Sequence, residues 1–339
     1  MFEVISLDNK KRWNEIIHSM KDYDFYFLAE YHQMDKSGLP FLLYYKDESC
    51  AFALPVVVRD IEGTTYKDIT SIYGYAGPLK NGDNPSTESI INFQKELLRF
   101  FDSHSIVSAF SRLHPLFPNQ EKVLNELGEV IDTNLTVGID LTLSESEQKR
   151  QYSRSTRHAI NLLNKKGIII REAQNRKDID SFIDIYEETM KRVNAPKIYY
   201  FSPDYYSNFL SSIDSFILLA SYKEETIGGI LCSKCNGIIQ DHLNATKSDY
   251  LYLSPQKLLL DEVRKIGVKN HMKYLHLGGG FDGKDNSLFD FKSRFSKQRF
   301  MFKIWKYIHN KEVYDYLVEK SGKESSSDIS FFPLYRLLS

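Results

Sequence analysis

The side chains of this 339-residue chain whose types and spacing suggest chemistry concentrate in its second half. From Lys149 to Lys177 there are nine Lys or Arg against one acid, Glu172, and from Phe291 to Lys306 six Lys or Arg and no acid. In a chain of net charge −1, such local concentration points to a polyanion, either phosphate groups or nucleic acid. Gly278, Gly280 and Gly283 satisfy G-x-G-x-x-G, and Gly283-Lys284 nearly completes a Walker A loop. Context rejects both motifs. Asp285 stands where a P-loop needs Ser or Thr to hold Mg²⁺, and a dinucleotide fingerprint belongs in an early βαβ unit with an acid about 20 residues on. The run reads instead as a strand exit that lets a ligand or backbone approach closely. Cys232 and Cys235 form a lone C-x-x-C in a strand-like run, where residues three apart face opposite ways, which fits neither zinc nor a redox pair. The nine histidines show no metal-ligand spacing, so no metal is expected, and no G-x-S-x-G nucleophile elbow occurs.

Elements must position these groups. Tyr152, Thr156, Ala159 and Leu163 recur at helical spacing, with Arg150, Arg154, Arg157, Asn161 and Lys165 on another face. The pattern predicts one basic helix over 149–166, closed by Gly167. It is either a solvated connecting helix or an anion-binding one.

The two halves of the chain also overlay at offsets of about 165–175 residues, a self-similarity that marks repeated units. Strand–turn–strand patterns over 40–55 and 215–231 are each followed by a strand, at 68–73 and 237–243. Each then meets a helix, opened by Ser86 for 87–103 and by Ser254-Pro255 for 256–266. A strand follows each helix, at 106–110 and 274–277, and helices over 9–20 and 178–193 precede the two sets. The expected fold class is α/β: two copies of one unit, each a mixed, mostly antiparallel sheet flanked by helices. The expected domains are 1–145, 146–320 including the basic helix, and a C-terminal tail, 321–339.

Composition sets outer bounds. With 42% apolar and 26% charged residues, the chain is neither disordered nor fibrous. No apolar run reaches the roughly 18–20 residues of a membrane span. Three cysteines and a start without signal-peptide character lead to the expectation of a cytoplasmic protein. The apolar end, Phe331 to Leu338, packs on the body, pairs with a second subunit or makes a peripheral membrane contact; packing is the expectation.

Three motifs in order carry a resemblance. Leu275-His276-Leu277-Gly278-Gly279-Gly280, followed by Ser287-Leu288-Phe289-Asp290-Phe291-Lys292-Ser293-Arg294-Phe295, resembles the strand–glycine–SLF-x-FK-x-x-F signature of the FemAB-like branch of the GNAT acyltransferases. Arg154 to Ile160 resembles that family's R-x-x-I helix, and Tyr73-Gly74-Tyr75-Ala76-Gly77-Pro78 its YGYGGP turn. The resemblance spans about residues 70 to 300 and implies two tandem GNAT-like domains. It implies an aminoacyl- or acyltransferase of cell wall or polysaccharide biosynthesis. The acceptor would be an amine of an envelope precursor, a peptidoglycan stem peptide or an amino sugar of a surface polysaccharide, and the donor aminoacyl-tRNA or acyl-CoA.

The resemblance also assigns roles. Phe291-Lys292 corresponds to the Phe-Lys pair at the donor end, with Lys292 stabilising an oxyanion or alkoxide. Arg154, Arg157 and Arg294 would contact phosphates, and Ser254 would open a helix N-terminus able to bind an anion. Tyr73, Tyr75, Gly77, Gly279 and Gly280 would line the acceptor cleft. Asp241 or His242, on the strand that faces the reacting carbonyl, would take the amine proton, and alternation would turn only one of them inward. No glycine-rich pyrophosphate loop precedes residue 256, which favours a charged tRNA over CoA. Beyond these co-substrates no cofactor is implied, and DNA is not an expected partner. The alternatives are a CoA-dependent sugar N-acyltransferase and a non-catalytic protein that binds tRNA or a nucleotide-linked sugar.

Overall fold

The computed structural model describes residues 1–82, 85–124, 126–280, 287–322 and 331–337. They form two compact units, one of residues 1–133 with 301–339 and one of residues 134–300. The boundaries thus fall at 133/134 and 300/301, where the sequence reading put one at 145/146 and kept 301–320 with the C-terminal half.

The first unit begins with β1 (Phe2–Ser6), α1 (Lys10–Ser19) and α2 (Ala29–Met34), then β2 (Leu39–Lys46), β3 (Ala51–Asp60), β4 (Lys67–Thr70) and the short β5 (Leu79–Asn81). α3 (Thr87–Ser103), β6 (Ile106–Arg112) and α4 (Gln120–Val123) follow, and β7 (Glu129–Asp140) leads out of the unit. Ser86 caps α3 by accepting from the Ser89 N–H, as its position before the helix predicts. One face of α3 buries Phe93, Leu97, Phe100 and Phe101 against the sheet, with Phe93 stacked on Phe52 at 5.1 Å.

The second unit carries α5 (Glu145–Gln151), α6 (Arg154–Lys165), β8 (Ile169–Glu172), α7 (Arg176–Arg192) and α8 (Pro203–Ser212). Next come β9 (Ser215–Tyr222), β10 (Glu225–Cys235), β11 (Ile238–Thr246), α9 (Gln256–Lys269), β12 (Tyr274–Gly278) and α10 (Ser287–Ser293). β13 (Arg299–Ile308) leads back to the first unit, which ends with α11 (Lys311–Lys320).

The duplication is present in the topology. β2, β3 and β4 are joined antiparallel, and β4 pairs parallel with β6 across α3. β9, β10 and β11 are likewise antiparallel, and β11 pairs parallel with β12 across α9. Each sheet gains a first strand, β1 on β2 and β8 on β9. The last strand of each sheet is exchanged. β13, made after the second unit, closes the first unit's sheet against β6, while β7, made after the first unit, closes the second unit's sheet against β12. Trp305 of β13 is accordingly in the core of the first unit, its indole N–H donating to the Leu127 carbonyl.

Two local expectations are corrected. The basic segment is two helices, because Tyr152 turns extended (ψ 137°) and the Ser153 hydroxyl caps a new start at the Thr156 N–H. Ser254 does not cap α9: it sits left-handed (φ 55°) as the end of a preceding 3-10 turn, and Pro255 occupies the N-cap. The tail's described part packs on the first unit, Phe332 and Tyr335 joining a cluster with Ile61, Val107 and Tyr314.

Candidate active site

In the second unit, β11 approaches β12 at its N-terminal half, and the ladder to β10 is irregular there. Leu231 faces Leu243 but Cys232 faces Asp241, so His242 is an extra residue, a β-bulge. The bulge breaks the strict alternation expected for Asp241 and His242, and their surroundings sort them instead. The Asn244 amide donates to both Asp241 carboxylate oxygens, at 3.1 and 3.3 Å. The charge of Lys292 also reaches Asp241. Burial pushes the Asp241 carboxyl above the usual carboxylate range, with Lys292 and Asn244 opposing the rise.

Lys292 belongs to α10, and its ammonium donates to the Gly279 carbonyl at 2.9 Å, just beyond β12. Burial pushes its pKa down, while Asp241 opposes the fall. The glycine run is thus the exit that receives this lysine. Phe291 packs against the unit's core, edge-on to Phe295 at 5.4 Å, which seats α10. Gly280 is described and half-buried, whereas Gly283, Lys284 and Asp285 lie outside the described residues.

His242 is committed elsewhere. Its Nε2 lies 2.6 Å from the Tyr205 hydroxyl, and its ring stacks on Phe209 at 4.8 Å and 6°. Burial pushes its pKa down to about 3, so the ring is uncharged at neutral pH. A neutral imidazole with so low a pKa is a weak base for the amine proton, which leaves Asp241 the better candidate.

The phosphate candidates divide. Arg157 and Arg294 line one cleft of about 630 Å³ together with Arg150 and Lys297. Arg154 is exposed in the first turn of α6 and Ser254 is half-buried, neither among that cleft's lining residues.

Tyr73, Tyr75 and Gly77 belong to the first unit, where their turn is braced from below. Gln120 donates to the carbonyls of Ala76 and Pro78 at 3.0 and 3.2 Å, and Tyr31 donates to the Tyr73 carbonyl at 3.1 Å. Gly77 sits at φ 95°, where a Cβ would come within 2.6 Å of Gln120, so only glycine fits. Tyr75 meets Tyr26, His114 and Phe302 edge-on.

Sequence reasoning missed the group that anchors α5. Arg264, almost fully buried, donates to Asp261 at 3.1 Å and Gln148 at 3.0 Å, and the Tyr152 hydroxyl donates to Asp261 at 3.1 Å. An Asp-x-x-Arg pair within an apolar helical stretch was the available signal. Among the described residues no group of His, Cys, Asp and Glu is placed to hold a metal, and no helix is long and apolar enough to cross a membrane.

A doubled sheet of this topology, with a parallel strand pair and a bulged strand beside it in the second copy, is a tandem GNAT-like fold of the FemAB type. Among solved structures the chain is similar to FemX, with a TM-score of 0.73 and 11% identity over 93% of this chain and 99% of that one. It is also similar to the C-terminal domain of a putative lysylphosphatidylglycerol synthetase from Agrobacterium fabrum, with a TM-score of 0.59 and 11% identity over 92% and 96% of the two chains. A tandem GNAT protein from the clavulanic acid biosynthesis pathway matches with a TM-score of 0.50 and 8% identity over 90% and 98%. No family model and no curated protein matches the sequence. At these identities the likeness establishes the fold.

Proposed function

We propose that the chain is an N-acyltransferase that moves an aminoacyl or acyl group onto an amine of a cell-envelope precursor, a peptidoglycan stem peptide or an amino sugar of a surface polysaccharide. The observation that supports this is the Asp241–Lys292 pair, held by Asn244 and the Gly279 carbonyl on the bulged strand and glycine exit of a GNAT-like unit. The FemAB-type fold supports transfer from aminoacyl-tRNA, and a donor built on CoA is the competing choice.

The chemistry asked of the pair is simple. The neutral acceptor amine attacks the donor carbonyl, a C–N bond forms, and the C–O bond of an ester or C–S bond of a thioester breaks. The amine proton passes to the Asp241 carboxylate, whose raised pKa makes it a stronger base than an ordinary carboxylate. The Lys292 ammonium supplies fixed positive charge for the oxyanion or the departing alkoxide, in a site where little water screens it.

The test is product formation with a mixed aminoacyl-tRNA pool, with acyl-CoA supplied in parallel. Asp241→Asn is expected to lower kcat by roughly 10²–10⁴, and Lys292→Ala by roughly 10²–10³, each with donor binding retained. Unchanged turnover in both variants would remove the pair from the mechanism. Donor binding that falls steeply with salt and ignores excess CoA would identify the nucleic-acid carrier.

A further inference from the structure

A row of buried polar side chains crosses the second unit where β11 and β12 part. The parallel ladder between these strands ends at Gln240 opposite His276, although β11 runs on to Thr246 and β12 to Gly278. Both neighbouring ladders slip at the same level. The β10–β11 register shifts at Asp241, and the β7–β12 register shifts just after His276. A fork in the sheet thus opens directly beyond this rung. Asp241 is the first residue of one arm, and the other arm leads through Gly278 to Gly279, whose carbonyl receives Lys292 at 2.9 Å.

Side chains close the vertex of the fork. His276 is fully buried, and Gln240 and Thr136 nearly so. The Thr136 hydroxyl has one hydrogen, which goes to the Phe300 carbonyl at 3.3 Å, so it accepts from the His276 Nε2–H at 2.9 Å. On the other side of the ring, Nδ1 meets the Gln240 side-chain amide at 2.9 Å. The chain Thr136–His276–Gln240 therefore ties β7, β12 and β11 together at the level where β11 and β12 part. A buried polar network with its members paired fixes one geometry more sharply than apolar packing does, because a slip leaves polar groups unpaired. The arm beyond it is held as closely. A Cβ on Gly279 would come within 2.5 Å of the Asn134 side-chain nitrogen and 3.1 Å of the Leu135 carbonyl oxygen.

We propose that this chain is a clasp that positions the Asp241–Lys292 pair, with Thr136, His276 and Gln240 as positioning residues that set how far apart the two arms stand. For its effect on turnover the inference rests on the transferase reading. Gln240 acts through Asp241, its neighbour in the chain, and His276 through Gly279, just beyond its strand. A fork that opened would draw the carboxylate away from the ammonium. In the intact site the charge of Asp241 opposes the fall that burial imposes on the Lys292 pKa, so the separation can be read at that lysine.

Thr136→Val and Gln240→Met keep the shape of the side chain and remove one link each. Each is expected to lower kcat roughly ten- to hundredfold with KM little changed, the usual cost of misplacing reacting groups by about 1 Å. In the free protein, competitive labelling with acetic anhydride, read by mass spectrometry, measures the Lys292 pKa without any turnover. It should lie below the wild-type value in both variants, because the opposing carboxylate has moved away. Thr136→Ser keeps the hydroxyl and should restore both readouts. Ser233→Ala is the control. Ser233 is buried opposite Gln240 on β10, its hydroxyl without a hydrogen-bond partner among the described residues, and its loss should move neither readout. A Lys292 pKa at the wild-type value in whichever of Thr136→Val and Gln240→Met folds overturns the proposal, and so does an equal shift in Ser233→Ala. A wild type that turns over no donor would sink the transferase reading alone, since the labelling still decides the clasp.

Discussion

At the scale of single residues, opposite shifts in one pair define a pH window. In the proposed reaction the Asp241 carboxyl must be ionised to take a proton, and its pKa is raised, so the acid limb of the rate is expected above the ordinary carboxylate range. Lys292 must be protonated to stabilise an anion, and its pKa is lowered, so the alkaline limb lies below the ordinary lysine range. Lys292→Arg is therefore expected to abolish the alkaline limb below about pH 10 even where kcat falls, since guanidinium keeps its proton there. A limb that stays put in this variant would assign it to another group. The buried histidines act on stability. His32, in the first unit, is pushed down to about 4 and His242, in the second, to about 3, both by burial. Below about pH 6.5 the unfolded chain binds these protons and the native one does not, so stability falls as pH falls. Between pH 6 and 4 each histidine is expected to remove up to about 1.4 kcal/mol per pH unit, read from urea midpoints of the wild type and of His242→Phe. Of these residues, Lys292 was legible because its phenylalanine-rich, glycine-led surroundings form a contiguous motif. Asn244 and Arg264 were not, since each acquires its meaning only from partners that folding brings near.

At the scale of elements, periodicity carried well where a helix or strand buries one face. α3, α7 and the strand patterns of both units stand close to where alternation and capping put them. It failed where one side chain redirects the backbone. The basic segment keeps a helical pattern through Tyr152 and Ser153, yet Ser153 finds a better use for its hydroxyl as a cap. The bulge at His242 and the left-handed Ser254 leave no periodic trace at all. The break between α5 and α6 is what aims Arg157 back at the α5 carbonyls and brings Arg294 alongside. Ser153→Ala is expected to cost about 1 kcal/mol through loss of the cap, seen as a lower denaturation midpoint. An unchanged midpoint in Ser153→Ala would show that the cap does not hold this corner.

At the scale of the whole molecule, the repeat was legible as an offset between halves, but the strand exchange was not. Pairing β13 with β6 joins residues nearly two hundred positions apart, and no local pattern records such a partner. The exchange predicts that each half of the chain is incomplete alone. Trp305→Ala, a change coded after the second unit, is expected to destabilise the first unit by about 3–5 kcal/mol, detected as selective loss of amide protection in β6 and α3.

The exchange also sets a clock on synthesis. The second unit is contiguous and has all six of its strands once residue 300 has emerged, but the first unit waits for β13. At about 5–20 residues per second, β6 spends roughly 10–40 s without its neighbour. During that time it is a sheet edge of the kind that recruits foreign strands. Its own sequence, Ile106 to Arg112, interrupts its apolar residues with Ser108 and Ser111 and ends in an arginine, a composition that makes the wait less hazardous. The order of completion is therefore the reverse of the order of translation, and a ribosome stalled before β13 would hold a finished second unit and an unfinished first.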